Sequence, residues 1–325
     1  MSDDSHDSQS DDKESPPLKR ARHNDQSFEA TKVNQSSVPS TMNTSLPPLS
    51  LSILGVEPLD EFIREIADFV HHMIVTRPVY PDAKIEVEAK LGVLRDRTSG
   101  QRLVLPVLVE TILIPNLNEV DVRFESNMSL NQHRHFNNML NDLKRISSQP
   151  SHPTSPLEYT HVKVVDSFYL SEDREKIRVT REEKSNTVLE ITRKIRLGDL
   201  NIFSPKRAAD WRVSVSLEVP VPHPVGSPTH IRRKDRICYS HEEFNIDLTQ
   251  VHSSNNTTSN PPVPPQVFHE LEVEIARSAL LLSTASKRGD PNASEIDRNA
   301  FDELIRSFVN NARILVKNAN DGWHT

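Results

Sequence analysis

The sequence predicts a mainly β, α+β fold: an antiparallel sheet closed into a tunnel with a charged interior, and helices packed outside. Two observations point there. Between apolar stripes of helical period, segments of five to ten residues alternate apolar and polar, with Pro-, Ser- and Asn-rich breaks at 147–156, 220–228 and 253–265, the pattern of consecutive antiparallel strands. The polar side of these segments carries near-unbroken full charges, acid-rich at both ends of the series and mainly basic between. A solvated face mixes Thr, Ser, Gln and Lys instead. Closing the sheet brings the two acidic ends together and leaves the apolar side for the helices.

Residues 1 to 50 contain eleven Ser, five Pro and a single aromatic, Phe28. Such a segment buries too little apolar surface to offset its ordering entropy and reads as disordered. Within it, Pro16-Pro17-Leu18-Lys19-Arg20-Ala21-Arg22-His23 is either a nuclear import signal or a chance basic run. Residues 51–320 form the folded domain.

Three helices are expected. The first runs from Glu57 to Thr76, with Leu59, Phe62, Ile63, Ile66, Phe69, Val70 and Met73 as its stripe and Pro78 as its stop. The second runs from about Ser129 to Ile146 on Phe136, Leu140, Leu143 and Ile146. The third opens at Ser294, with Asp297 three places on, and buries Ile296, Phe301, Leu304, Ile305, Phe308, Ala312 and Leu315. All three stripes face a core.

The strands carry the chemistry. In Ile85–Leu91 one face holds Glu86, Glu88 and Lys90; in Glu270–Ile275 one face holds Glu270, Glu272 and Glu274. Glutamates two apart on a strand have Cα atoms about 6.6 Å apart, and paired strands lie about 4.8 Å apart. Pairing these two segments therefore crowds about five carboxylates, and two charges 5 Å apart repel by roughly 3 kcal/mol at an effective dielectric near 20. Such a cluster requires cations, and oxygen ligands favour Mg²⁺ or Mn²⁺ over zinc. The basic counterpart comes from Arg174, Lys176 and Arg178; from Lys194 and Arg196 beside Glu190 and Thr192; from Arg212 beside Ser214, Ser216 and Glu218; and from Arg232, Lys234 and Arg236. Asp247 and Thr249 share a face. This set suits a polyphosphate held by Arg and Lys with a metal on carboxylates.

Composition excludes other chemistries. With Cys238 alone there is no internal disulfide and no cysteine-built zinc site, and Phe244 stands where a cysteine phosphatase needs its arginine. Seven scattered glycines build neither a P-loop nor a dinucleotide fingerprint. Leu103–Pro115 is interrupted by Pro106 and Glu110, and no signal peptide opens the chain. The reading is of a soluble intracellular protein, with no membrane and no DNA partner.

Five of these segments together resemble one family. Ile85–Gly92 is similar to the first metal-binding motif of triphosphate tunnel metalloenzymes, and His269–Glu274 to the last. Trp211–Pro220, Arg232–Arg236 and Ile246–Val251 narrow the likeness to the fungal-type RNA 5′-triphosphatase, the beta subunit of the mRNA capping enzyme. The resemblance spans roughly residues 57 to 317. It implies an eight-stranded tunnel in the nucleus that removes the γ-phosphate from 5′-triphosphate-ended RNA, with Mg²⁺ or Mn²⁺ on Glu86, Glu88 and Glu274. It implies that Arg178, Lys194, Arg232, Lys234 and Arg236 bind the triphosphate, that Glu270 and Glu272 complete the acidic floor, either behind the metal's own ligands or by orienting water, and that Glu218 orients or deprotonates water. Asp247 and Thr249 then hold neighbouring side chains in place. The implied partners are the capping guanylyltransferase and a second copy of the chain. Two other readings stand beside it: a tunnel enzyme acting on inorganic tripolyphosphate or small triphosphates, and a non-catalytic polyanion-binding scaffold with its charged strands outermost.

Overall fold

The computed structural model describes residues 48–55, 60–114, 121–255, 264–320 and 323. Its contacts divide the chain into Met1–Glu57 and Pro58–Thr325. Of the first unit, 48–55 is described, a mostly exposed stretch with a turn from Gly55 N–H to the Ser52 carbonyl. The tail expectation and the basic cluster at 16–23 lie outside the described residues, as does Leu59.

The second unit runs α1 (Glu61–Val75), β1 (Lys84–Asp96), β2 (Thr111–Ile112), β3 (Val122–Glu125), α2 (Leu130–Ser147), β4 (Glu158–Leu170), β5 (Lys176–Glu182), β6 (Val188–Phe203), β7 (Asp210–Pro220), β8 (His230–His241), β9 (Phe244–Asn255), β10 (Gln266–Ile275), α3 (Ser278–Lys287) and α4 (Glu295–Lys317). Eight strands follow one another as β10-β9-β8-β4-β5-β6-β7-β1, and β1 pairs with β10 to close the ring. Every pairing is antiparallel. The closing seam is short: Glu88, Ala89 and Lys90 face Glu274, Val273 and Glu272. This is the juxtaposition of the two acidic ends that the charge pattern predicts, and it disposes of the scaffold with charged strands outermost.

Alternation does the sorting. Val87, Ala89 and Leu91 of β1, Val213, Val215 and Leu217 of β7, and Leu271 and Val273 of β10 point outward into one buried core with α1, α3 and α4. Glu110 ties this side together: its Oε1 accepts from Trp211 Nε1 at 2.8 Å, and its Oε2 from Arg313 Nε of α4 at 2.7 Å.

The helices begin where short polar side chains can cap them. Asp60 Oδ1 accepts from the Phe62 and Ile63 amides, Ser129 from Gln132, and Ser294 from Asp297. The first helix therefore starts at Glu61 rather than Glu57. Three stripe residues do not face the core: Leu143 and Ile146 are partly exposed and Ile296 is 84% exposed, because it sits in the first turn of α4. Arg174 does not share the face of Lys176 and Arg178; it stands in a turn at φ 61°. The strand β4 and the helix α3 have no counterpart in the sequence reading. Serines and a threonine interrupt the apolar run of α3, and β4 mixes exposed apolar and polar side chains.

Candidate active site

The lumen holds a cavity of about 360 Å³. Of the predicted residues, Glu86, Glu274, Arg178, Lys234, Arg236 and Glu218 line it. Lys194 sits beside Glu86, its ammonium touching Glu86 Oε2 and lying 3.7 Å from Glu88 Oε1. Glu88 is buried just behind. Glu270, Glu272 and Arg232 lie outside the cavity lining, held as Arg232–Glu270 at 3.0 Å and Lys90–Glu272 at 2.7 Å.

Each cation has a fixed anion. Arg178 Nη2 donates to Glu218 Oε1 at 2.8 Å and to Glu190 Oε2 at 3.2 Å. Lys234 Nζ lies 2.6 Å from Asp166 Oδ2, and Arg236 Nη1 lies 2.8 Å from Asp247 Oδ2. Asp166, from the strand the sequence reading lacks, is buried and accepts from Thr180 Oγ1 at 2.7 Å. Its signal in the sequence is one acid after a weakly alternating Val-Lys-Val-Val run, too little to set it apart. Lys90 was visible on the charged face of β1, but its bridging of Glu88 and Glu272 depends on the seam register.

Electrostatics at the seam are unbalanced. Burial, reinforced by Glu86, Asp247 and Glu88, pushes Glu274 up to about 8. Burial also raises Glu88, with Glu272 and Glu86 adding to it against Lys90 and Lys194. Burial pushes Glu272 the same way, yet Lys90 and Arg236 hold it well below the ordinary carboxylate range. Desolvation lowers Lys234 despite Asp166, with Arg236 adding to the shift.

A divalent cation fits these donors. Glu88 Oε1 is buried without a hydrogen-bond partner among the described residues, Glu274 is raised by burial and by the carboxylates of Glu86, Asp247 and Glu88, and all the available donors are hard oxygens. Among the described residues no three His, Cys, Asp or Glu side chains converge as ready ligands; the Lys194 ammonium stands between Glu86 and Glu88.

A closed antiparallel tunnel with cations and carboxylates facing across one cavity defines the class, a β tunnel built to hold a polyanion. The chain belongs to the family of mRNA capping enzyme beta chains, whose model matches residues 56–321. It is 36% identical over 307 residues to the mRNA-capping enzyme subunit beta of Schizosaccharomyces pombe, covering 93% of this chain and 95% of that protein. The S. pombe Pct1 RNA triphosphatase structure superposes with a TM-score of 0.73 at 35% identity, covering 85% of this chain and all of the other. A second structure of it, in complex with the Spt5 CTD, matches with the same TM-score, identity and coverage.

Proposed function

We propose that this chain is an RNA 5′-triphosphatase, hydrolysing the β–γ phosphoanhydride of 5′-triphosphate-ended RNA to leave a diphosphate end, the first step of mRNA capping. The observation that carries the reading is that Arg178, Lys234 and Arg236 line one cavity together with Glu86, Glu218 and Glu274 in a member of this family.

Lys194, Lys234, Arg178 and Arg236 bind the triphosphate by charge-assisted hydrogen bonds, exchanging carboxylate partners for phosphate oxygens. Arg232 is held deeper, by Glu270, and stabilises the lumen rather than the substrate. Glu86, Glu88 and Glu274 would hold Mg²⁺ or Mn²⁺, which supplies charge stabilisation at the γ-phosphoryl oxygens when bound. Glu218, on the wall of the same cavity, orients water for in-line attack on the γ-phosphorus and accepts its proton. Glu270 and Glu272 hold Arg232 and Lys90 in place.

The name subunit beta of the relatives supports another capping-enzyme subunit, the guanylyltransferase, as partner, and the S. pombe complex supports the Spt5 CTD; a second copy of this chain and a place at nascent transcripts in the nucleus are what the family resemblance adds. Trp211 and Trp323 are both buried, so neither offers its ring to a partner. Phosphate release from triphosphate-ended RNA, tripolyphosphate and ATP, with and without divalent ion, tests the reading. RNA is expected to be preferred and the ion to be required; a strong preference for tripolyphosphate would move the assignment to the small-triphosphate branch of the tunnel enzymes.

A further inference from the structure

Followed away from the cavity, the inward positions of five strands change character without changing alternation. Beyond Glu270 on β10 comes Phe268; beyond Asp166 on β4, Phe168; beyond Thr249 on β9, Val251; beyond Lys90 on β1, Gly92 and then Leu94; beyond Asn201 on β6, Phe203. Leu94 and Val251 are fully buried and Phe203 nearly so. On these five strands the charged inward positions thus give way to apolar ones, while Arg212 of β7 and Arg232 of β8 remain beside them, held by Asn201 and Glu270.

The strand β3 and the chain after it complete the obstruction. A side chain at Gly92 would point into the lumen, and the tip of the Phe124 ring takes that space: it lies 2.6 Å from where a Gly92 Cβ would be, with the Glu125 carbonyl oxygen at 2.4 Å. The Arg212 guanidinium lies 4.7 Å from the centre of the Phe124 ring and donates to Asn201 Oδ1 at 2.7 Å. Past Phe124 the chain crosses to β10, where Met128 N–H donates to the His269 carbonyl and the His269 N–H donates to Asn127 Oδ1. It spans the gap that opens where β1 and β10 part after three register pairs. None of Phe124, Phe168, Phe268, Arg212 or Arg232 lines the cavity. At the other end Thr160 and Val162, which do line it, are exposed.

We infer that Phe124 and its segment wall off the rear of the lumen, leaving one mouth, so that products leave in a fixed order: the diphosphate RNA end first and orthophosphate last. The inference rests on the triphosphatase reading above. RNA cannot enter the lumen, so the triphosphate enters γ-end first. The water oxygen bonds to the γ-phosphorus, the bond to the β–γ bridging oxygen breaks with its electron pair staying on the diphosphate, and the water proton passes to Glu218. Orthophosphate is then the deeper product, with the RNA end between it and the mouth.

Steady-state product inhibition, with a 5′-triphosphate oligoribonucleotide as varied substrate, separates the alternatives. Inorganic phosphate, released last, is expected to be competitive. The 5′-diphosphate oligoribonucleotide is expected to lower kcat, about two-fold at its inhibition constant, because it rebinds a phosphate-loaded enzyme. Phe124→Ala is expected to abolish that loss of kcat by giving phosphate a second exit, while Phe124→Leu keeps the parent pattern. An active parent inhibited only competitively by both products would overturn the single mouth, and an unchanged pattern in Phe124→Ala would overturn the wall. A parent that releases no phosphate from RNA would instead sink the triphosphatase reading itself.

Discussion

Glu88 and Glu274 stand directly opposite each other in the ladder that closes the tunnel. Like charges at such a position are destabilising, and the neighbours worsen the conflict, since Glu86 flanks Glu88 on the same face and Asp247 lies near Glu274. A seam so placed costs stability wherever its carboxylates are charged and uncompensated. Lys90 and Lys194 relieve Glu88; among the described residues Glu274 has no basic contact at ion-pair distance, and Arg236 opposes its shift only weakly.

The metal-free protein should therefore lose stability with rising pH. The folded-state value of Glu274, about 8, lies above its ordinary 4.5, so the folded state holds an extra proton between these values and stability falls as pH rises through the window. Thermal melts in chelator should show a lower midpoint at pH 9 than at pH 6, and Glu274→Gln, which mimics the protonated acid, should flatten that slope. Mn²⁺ should raise the parent's midpoint most at alkaline pH and the variant's little. Parallel pH slopes in the two proteins would count against the assignment.

Lys194→Ala tests the ammonium between Glu86 and Glu88. Two effects are expected together. The metal-free protein loses stability, since two crowded carboxylates lose their shared cation, and added divalent ion restores the midpoint. With the ion present, kcat/KM on triphosphate RNA falls by on the order of 10²-fold, the cost of one charged contact to a phosphoryl oxygen. A variant with full activity would remove Lys194 from the substrate site.

How much of this was legible beforehand depends on whether a feature is periodic or positional. Glu86, Glu88, Glu270, Glu272 and Glu274 announce themselves because alternation puts full charges on one face, and the acidic ends of the series foretell the seam. Ser294 and Ser129 announce helix starts through local chemistry. Asp166 was invisible because it is a single acid on β4, given its meaning by Lys234 from a strand some seventy residues away. Arg232 shares the alternation of Lys234 and Arg236 but sits toward the rear, and depth along a tunnel comes from strand stagger, which no single strand encodes. Phe124 lies on a four-residue strand, too short to carry a period.

Acid should act elsewhere. His133 of α2 and His269 of β10 lie with ring centres 4.8 Å apart, and the Nε2 of each is buried without a hydrogen-bond partner among the described residues. Burial, then His269, pushes His133 down to about 4, and burial lowers His269 as well. The folded state thus binds fewer protons than the unfolded chain, and the stability present above pH 6.5 is lost as pH falls toward 4. The slope for one such group is at most about 1.4 kcal/mol per pH unit. Urea melts at pH 7 and pH 4.5 should show His133→Leu losing less stability than the parent over that interval; an equal loss in both would place the acid sensitivity in other groups.

Two glycines inside strands offer the last test, because the same substitution meets different neighbours. At Gly92 an added methyl would lie 2.4 Å from the Glu125 carbonyl oxygen and 3.0 Å from its carbonyl carbon. Those atoms belong to β3, which is tied to β1 at four register positions, so relief requires moving a strand. At Gly198, beside the irregular step in the β6–β7 ladder, the methyl would meet the Met73 sulfur at 2.9 Å and the Phe69 ring edge at 3.2 Å, and the end of a methionine rotates away cheaply. Gly92→Ala should therefore cost at least the 1–3 kcal/mol typical of overpacking, and Gly198→Ala clearly less. Shifting β3 would also carry the Phe124 ring away from Arg212, so Gly92→Ala should share the product-inhibition pattern of Phe124→Ala, whereas Gly198→Ala keeps the parent's. Denaturant midpoints at unchanged m-value, read beside those inhibition patterns, decide it: a Gly198→Ala penalty equal to or larger than that of Gly92→Ala would mean that β3 is looser on β1 than its register implies.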